Sequence, residues 1–182
     1  MYQLIVFGPP GVGKGTQAAL MAKELSVEHI STGEILRKAV SEKTELGVKA
    51  KEIMDHGNLV PDEIMNGIVK DALAGSGSNG FILDGYPRTV EQAKALAKTF
   101  EELQFDNVIV LNLLADDEEI TERLLRRGRS DDTKETIANR LKVYYESTEP
   151  VKRYYEELGL LREINGIGDV EAIYRLLLEE LK

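Results

Sequence analysis

The chain has 182 residues, 42% of them hydrophobic and 30% charged, with no cysteine and a formal net charge of −9. That length suits one compact domain whose core needs no staples, and the lack of cysteine excludes disulfides and cysteine-ligated zinc. The acidic balance argues against non-specific nucleic-acid binding, which depends on neutralising phosphates.

The first apolar run, "YQLIVF", reads as a buried strand. It is too short for a signal-peptide core, and no later run approaches the ~18 apolar residues of a membrane span, so a cytoplasmic protein without a membrane anchor is expected. "GPPGVGKGTQ" leads from this strand into a helical pattern over Lys14–Leu25, and "VEHI" gives a second strand. The stretch from Ile35 to His56 is helical in pattern. Two short helices fit between Thr32 and Asn58, with Gly57 as the stop. They form a small helical insertion, residues 31–60, within a single domain spanning 1–182.

A helix over Glu63–Leu73 and a turn at "GSGSNG" precede the third strand, "GFILDG". A helix over Val90–Leu103 then leads to the strand "NVIVLNL". Helical patterns over Glu118–Arg127 and Lys134–Leu158 bring the chain to "LLREIN", the turn "NGIGD" and a last helix over Val170–Leu181. Five apolar strands alternating with helices predict an α/β fold, a five-stranded parallel sheet with helices on both faces.

The glycine-rich segment carries the strongest chemical signal. Glycines let the loop turn its N–H groups toward one point, and the following helix N-terminus adds a positive dipole end. The spacing from Gly8 to Gly13-Lys14 matches the phosphate-loop pattern, with Lys14 placed to bridge the β- and γ-phosphates. The strict motif wants Ser or Thr next; here Gly15 intervenes and Thr16 comes one place late.

"GPPGVGKGTQ" resembles the loop of the nucleoside monophosphate kinases, the adenylate kinases in particular. The resemblance continues in order through "HISTGEILR", "GNLVPDE", "GFILDGYPRT", "RLLRRGRSDDT" and "YYESTEPV". It implies the fold of P-loop NTPases and reversible transfer of the γ-phosphoryl of Mg·ATP to AMP, giving two ADP, in adenine-nucleotide interconversion. By the same resemblance Gly11, Val12, Gly13, Lys14, Gly15 and Thr16 hold ATP phosphates, and the backbone at Gly168 touches the ATP adenine. Thr32, Arg37, Asn58, Leu59, Val60, Gly85, Tyr86, Pro87, Arg88 and Gln92 form the AMP site. Gln92 would read the adenine edge, since a primary amide donates and accepts together; its alternative is an exposed polar residue. Asp84, ending the third strand, would hold Mg²⁺ through water; its alternative is a helix cap. Taken singly, Arg37 reads as a solvated helix charge. Thr32 and Thr89 take the adenylate form, where uridylate/cytidylate kinases typically carry Ala and Asn. Glu34 and Tyr86 depart from the usual Asp and Phe without changing the donors proposed for phosphate.

Between Arg123 and Lys142 seven basic residues face three acidic ones, a local reversal of the chain's charge. Arg123 and Arg127 share a helix face, Gly128 ends that helix, and Arg140 lies in the next. The resemblance gives Arg123 and Arg127 contacts to ATP, and makes Arg129 and Arg140 a bridge toward the monophosphate. With Lys14 and Arg88, Arg123, Arg129 and Arg140 would be the catalytic cations. Arg126 falls off the shared face and is expected in solvent. Residues 126–132 then form a minimal lid, and zinc in it is excluded by the lack of cysteine. Asp131 and Asp132 are open to two readings: caps of the second helix, or partners of the arginines. His29 and His56 are isolated, and the tyrosines 144, 145, 154 and 155 read as helix packing. ATP, AMP and ADP are the expected partners, and nothing demands more than a monomer.

Overall fold

The computed structural model describes residues 1–77 and 79–182. Its sheet has five strands: β1 (Tyr2–Phe7), β2 (Glu28–Ser31), β3 (Gly80–Asp84), β4 (Val108–Leu114) and β5 (Leu161–Asn165). They lie in the order β2-β3-β1-β4-β5, and every neighbouring pair is parallel. The turn expected at "GSGSNG" includes Ser78, which lies outside the described residues.

The helices are α1 (Lys14–Leu25), α2 (Thr32–Ser41), α3 (Glu45–Asp55), α4 (Asp62–Ala74), α5 (Val90–Leu103), α6 (Asp117–Arg127), α7 (Lys134–Val143), α8 (Glu149–Glu157) and α9 (Val170–Glu179). Side-chain alternation along β1 divides the core into two layers. Ile5 and Phe7 pack with Met65, Val69, Leu96, Phe100, Val151 and Tyr155, which come from α4, α5 and α8. Leu4 and Val6 face the other way, onto Ala18 and Met21 of α1 and Ile173 and Leu177 of α9. A small third cluster, Ile120, Leu124 and Ile137, joins α6 to α7. Among the described residues no helix is long and apolar enough to cross a membrane.

The two short helices expected between Thr32 and Asn58 are found, whereas the stretch predicted as one helix over 134–158 is interrupted. The pattern over 35–56 breaks into α2 and α3, because Lys43 has a left-handed φ of 54° and the Thr44 hydroxyl accepts from Gly47 N at 3.1 Å as the cap of α3. Gly47 is what allows the two helices to meet, since a Cβ there would lie 2.0 Å from the Ala39 carbonyl oxygen. The pattern over 134–158 is α7 and α8 joined by a π-helical turn, Tyr144–Thr148. Pro150 lacks the N–H that an unbroken α-helix would use, and the wider turn absorbs that lost donor. The turn also places Thr148 so that its hydroxyl donates to the Arg88 carbonyl at 2.9 Å.

From the end of central β1 the chain passes into α1 on the Leu4/Val6 face, whereas from neighbouring β3 it passes into α5 on the Ile5/Phe7 face. The crevice beyond those strand ends is where open α/β sheets place ligands.

Candidate functional site

One cavity of about 780 Å³ opens at the carboxyl edge of the sheet. Every residue assigned from the sequence lines it. From the loop after β1 come Gly11, Val12, Gly13, Lys14, Gly15 and Thr16; from α2 and the segment after α3 come Thr32, Arg37, Asn58, Leu59 and Val60. The end of β3 and the start of α5 contribute Asp84, Gly85, Tyr86, Pro87, Arg88 and Gln92. Arg123, Arg127, Arg129 and Arg140 close the far wall, with Gly168 at one end.

The glycine loop adopts conformations closed to side-chain-bearing residues, with φ of +84° at Gly11 and +106° at Gly13. Gly13 caps α1 without a side-chain acceptor, and the first turn of α1 carries no acidic residue. By contrast α4, α5 and α6 all carry acidic side chains in their first turns. The first N–H groups of α1 are thus left for an external anion. Lys14 spans the loop, its ammonium donating to the carbonyls of Gly8 and Pro9 at 2.8 Å each.

The electrostatics explain what such a cavity demands. Burial lowers the Lys14 pKa to about 8; Asp84 opposes this, while Arg88 and Arg127 push the same way. Crowding by surrounding protein atoms, aided by Arg140 and Arg37 against Asp84, also depresses the pKa of Arg88, although the residue keeps an exposed face on the cavity. Arg129, an exposed residue, is lowered by partial desolvation, by Arg127 and by Arg37, against Asp132 and Asp131. Cations from four helices and two loops therefore repel one another across a shared space. Among the described residues Arg37, Arg88 and Arg129 enter no ion pair within 4.0 Å. A polyanion is the ligand that relieves this field.

A pH dependence follows for anion binding. Below about pH 8 Lys14 is charged and attracts phosphate; as pH rises past that value it loses its proton in the free protein. Tripolyphosphate affinity measured calorimetrically should weaken from pH 8 upward in the wild type, and Lys14→Met should bind it more weakly with that pH step removed. The free protein should show the opposite trend in stability, because the unfolded lysine holds its proton to a higher pH than the native one.

The lid aspartates resolve into one of their two readings. The cap of α7 is Thr133, whose hydroxyl accepts from Thr136 N at 3.1 Å. Asp132 instead lies with its side chain out of solvent and accepts from Arg127 Nε and Nη2 at 2.9 and 2.6 Å, Arg140 Nη1 at 3.0 Å and Arg129 N at 3.2 Å. Asp131 pairs with Arg140 Nη2. An ionised carboxylate that can satisfy four donors is better used there than at a helix end already capped by Thr133. Arg126 is exposed and pairs with Glu122 at 3.3 Å, although it reaches the cavity rim.

Asp84 is not a helix cap: α5 is capped by Thr89. Its Oδ2 accepts from Ser31 Oγ at 3.3 Å and stands 3.7 Å from His29 Nε2, an electrostatic contact longer than a hydrogen bond. Burial would raise its pKa, but His29, Lys14 and Arg88 outweigh burial and hold the carboxyl below its usual range. The Gln92 amide is not an exposed polar group, being only 1% accessible. Its Oε1 accepts from Arg88 N at 2.7 Å and its Nε2 donates to Asp62 at 2.7 Å. Of the tyrosines, 144 and 155 are core residues, whereas the Tyr145 hydroxyl donates to Asp117 at 2.5 Å.

Several supporting residues carry no sequence signal of their own. Asp62 holds Gln92, Gln17 Nε2 donates to the Val170 carbonyl at 2.9 Å, and His29 faces Asp84. Glu119 holds Arg123 Nε at 2.5 Å, and Arg123 Nη1 also donates to the carbonyls of Val12 and Gly166 at 3.1 and 2.9 Å. The i,i+4 spacing of Glu119 and Arg123 was the one visible clue among them.

Residues 6–160 match the family model described as adenylate kinase. Similar curated proteins named adenylate kinase come from Leptospira biflexa serovar Patoc, 49% identical with 100% of both chains aligned, and Thermobifida fusca, 45% identical with 99% of this chain and 98% of the relative aligned. A third, from Trichodesmium erythraeum, is 44% identical over 100% of this chain and 98% of the relative.

Proposed function

Because the chain belongs to the adenylate kinase family, we propose that its cavity holds two nucleotides end to end, with ATP on the glycine-loop side and AMP beneath α2. The reaction is phosphoryl transfer from ATP to AMP, giving ADP. Convergence of mutually repelling cations on one cavity carries the two-nucleotide reading, because a single phosphate loop does not need a second arginine set.

In this arrangement Gly11–Thr16 and Lys14 cradle the ATP phosphates, Arg123 and Arg127 flank ATP, and the Gly168 backbone meets its adenine. Thr32, Arg37, the backbone of Asn58–Val60, Gly85–Arg88 and Gln92 receive AMP. Arg129 and Arg140 reach between the two. No side chain acts as base, since the acceptor is already a phosphate oxyanion at neutral pH. Lys14, Arg88, Arg123, Arg129 and Arg140 position the reactants in line and neutralise the transferring group. Closure of the 31–60 insertion and the 126–132 lid keeps water from competing as acceptor.

A magnesium ion fits the oxygen donors at the end of β3. The Asp84 carboxylate is deep in the cavity, kept ionised by its neighbours, and open toward Gly15, where a Cβ would lie 3.3 Å from Oδ2. Asp84 would hold it through water, and such an ion would neutralise charge on the ATP phosphates. The protein is read as a cytoplasmic monomer serving nucleotide biosynthesis, without nucleic-acid or membrane partners.

Arg37 tests the division of the cavity, because it lies on α2 and away from the glycine loop. Arg37→Ala should raise KM for AMP by about tenfold or more, as loss of a charge-assisted phosphate contact does, and leave KM for ATP within about twofold. A KM for ATP that rises equally would refute the assignment of α2 to the acceptor.

A further inference from the structure

We propose that Asp62 is a specificity-determining positioning residue: it locks the Gln92 amide in one orientation, so that the acceptor half of the cavity takes a 6-aminopurine and rejects a 6-oxopurine. The inference rests on the placement of the AMP base at Gln92 proposed above.

Asp62 is the first residue of α4, and Gln92 lies in the first turn of α5. Asp62 Oδ1 accepts from Gln92 Nε2 at 2.7 Å, and Oδ2 accepts from the Thr89 hydroxyl at 2.9 Å. The Thr89 oxygen in turn accepts from Gln92 N at 3.1 Å, which closes a ring of hydrogen bonds among the three residues. At the other end of the amide, Gln92 Oε1 accepts from Arg88 N at 2.7 Å. An ionised carboxylate has no proton to give, and a backbone N–H has no lone pair to offer. Only one amide orientation satisfies both. Turning it over would set NH₂ against N–H and carbonyl against carboxylate, at a side chain 1% accessible to water that could repair the loss.

In the permitted orientation Gln92 keeps one N–H and one lone pair for a ligand. The edge of adenine offers an acceptor at N1 and a donor at its 6-amino group, which is the complementary pair. A 6-oxopurine offers a donor at N1 and an acceptor at O6, so each contact becomes like against like. A glutamine free to turn would take either base. Selectivity therefore resides in what holds the amide, and of its two holders Arg88 N is backbone. Asp62 is the half of the lock that substitution can remove.

The test compares AMP with inosine monophosphate at saturating ATP, with the affinity for inosine monophosphate measured by competition where its turnover is too slow to follow. In Asp62→Leu the ratio of kcat/KM for AMP over inosine monophosphate should fall by about tenfold or more, through KM, while kcat for AMP changes by less than about threefold. Asp62→Asn should keep the ratio within about threefold of wild type, because its carbonyl can still accept from Gln92 while its NH₂ turns to the Thr89 oxygen. If Asp62→Leu does not fold, Asp62→Ser carries the same expectation, since a hydroxyl both donates and accepts. An unchanged ratio overturns the inference even if KM rises, because a merely structural residue would weaken both acceptors alike. Gln92→Leu separates the two claims. A ratio unmoved in that variant means the base does not sit at Gln92; a ratio that collapses there and not in the Asp62 variants sinks the Asp62 inference alone.

Discussion

Arg88→Ala should lower kcat by about two to four orders of magnitude while the melting temperature stays close to that of the wild type. The two halves of this expectation come from different parts of the residue. Its backbone is structural: N donates to Gln92, and the carbonyl accepts from Thr148 on the π-helical turn. Alanine keeps both bonds. The guanidinium makes one internal hydrogen bond, from Nε to the Gly85 carbonyl at 2.7 Å, and enters no ion pair among the described residues. It is held beside Arg140 and Arg37, which disfavour its charge, with Asp84 as the opposing influence. A cation kept in such surroundings contributes little to folding and gains most when a polyanion arrives. Arg88→Lys should recover only part of the rate, because an ammonium cannot reproduce a planar two-pronged contact with phosphate. Steady-state ADP formation and thermal melts of the purified variants decide the matter. Near-native turnover in Arg88→Ala would remove the residue from the proposed catalytic set.

Most of this architecture is legible in the chain because its signals are local. "YQLIVF", "GFILDG" and "NVIVLNL" are apolar on both faces, as strands buried between helix layers must be, and each is found within a residue of its expected bounds. The glycine loop announces itself because positive φ requires glycine and a phosphate requires lysine, and both lie within a few residues. What stays hidden depends on partners distant in sequence. Nothing near Asp62 says that it will meet Thr89 and Gln92, and nothing near His29 points to Asp84. The break between α2 and α3 has a local signature, the capping Thr44 followed three residues later by Gly47, and two short helices are expected there. The π-helical turn is harder to read: Pro150 marks a disturbance, but the contacts the turn makes, Tyr144 against Phe7 with ring centroids 6.4 Å apart and Thr148 on the Arg88 carbonyl, lie far away in sequence. The lid aspartates could be read two ways because a cap and a counter-ion need the same residue type. Only the position of Thr133 separates them.

That counter-ion predicts the second large effect. Asp132→Asn should destabilise the protein by about 3 kcal/mol, the low end of what breaking a buried ion pair costs, and lower its melting temperature by roughly 6–12 °C. The low end applies because Arg127 keeps 33% of its side chain in solvent, although Asp132 keeps none. An amide in this position sets an N–H against arginine N–H groups and leaves Arg127 and Arg140 with less compensation. The pH dependence fixes the cause. Burial alone would raise the Asp132 pKa, but the hydrogen bond and charge of Arg127, the Arg129 N–H and Arg140 outweigh it and depress the value. A depressed carboxylate stabilises above its unfolded pKa and loses that contribution as pH falls through the folded one, so the gap between wild type and variant should be full at neutral pH and close below about pH 4. Nucleotide should narrow it by another route. Arg127 and Arg140 are proposed to face phosphate, and a bound polyphosphate supplies the negative charge that the variant lacks. Melts at saturating ATP should therefore raise the melting temperature of Asp132→Asn more than that of the wild type. Equal increments would mean that Asp132 and phosphate do not compete for the same arginines, and the lid would then be a structural clasp independent of the reaction. A larger increment in the variant means that the wild-type lid gives up an internal ion pair for each nucleotide it closes upon, which is how a segment this short can hold arginines ready without a ligand and still release them to one.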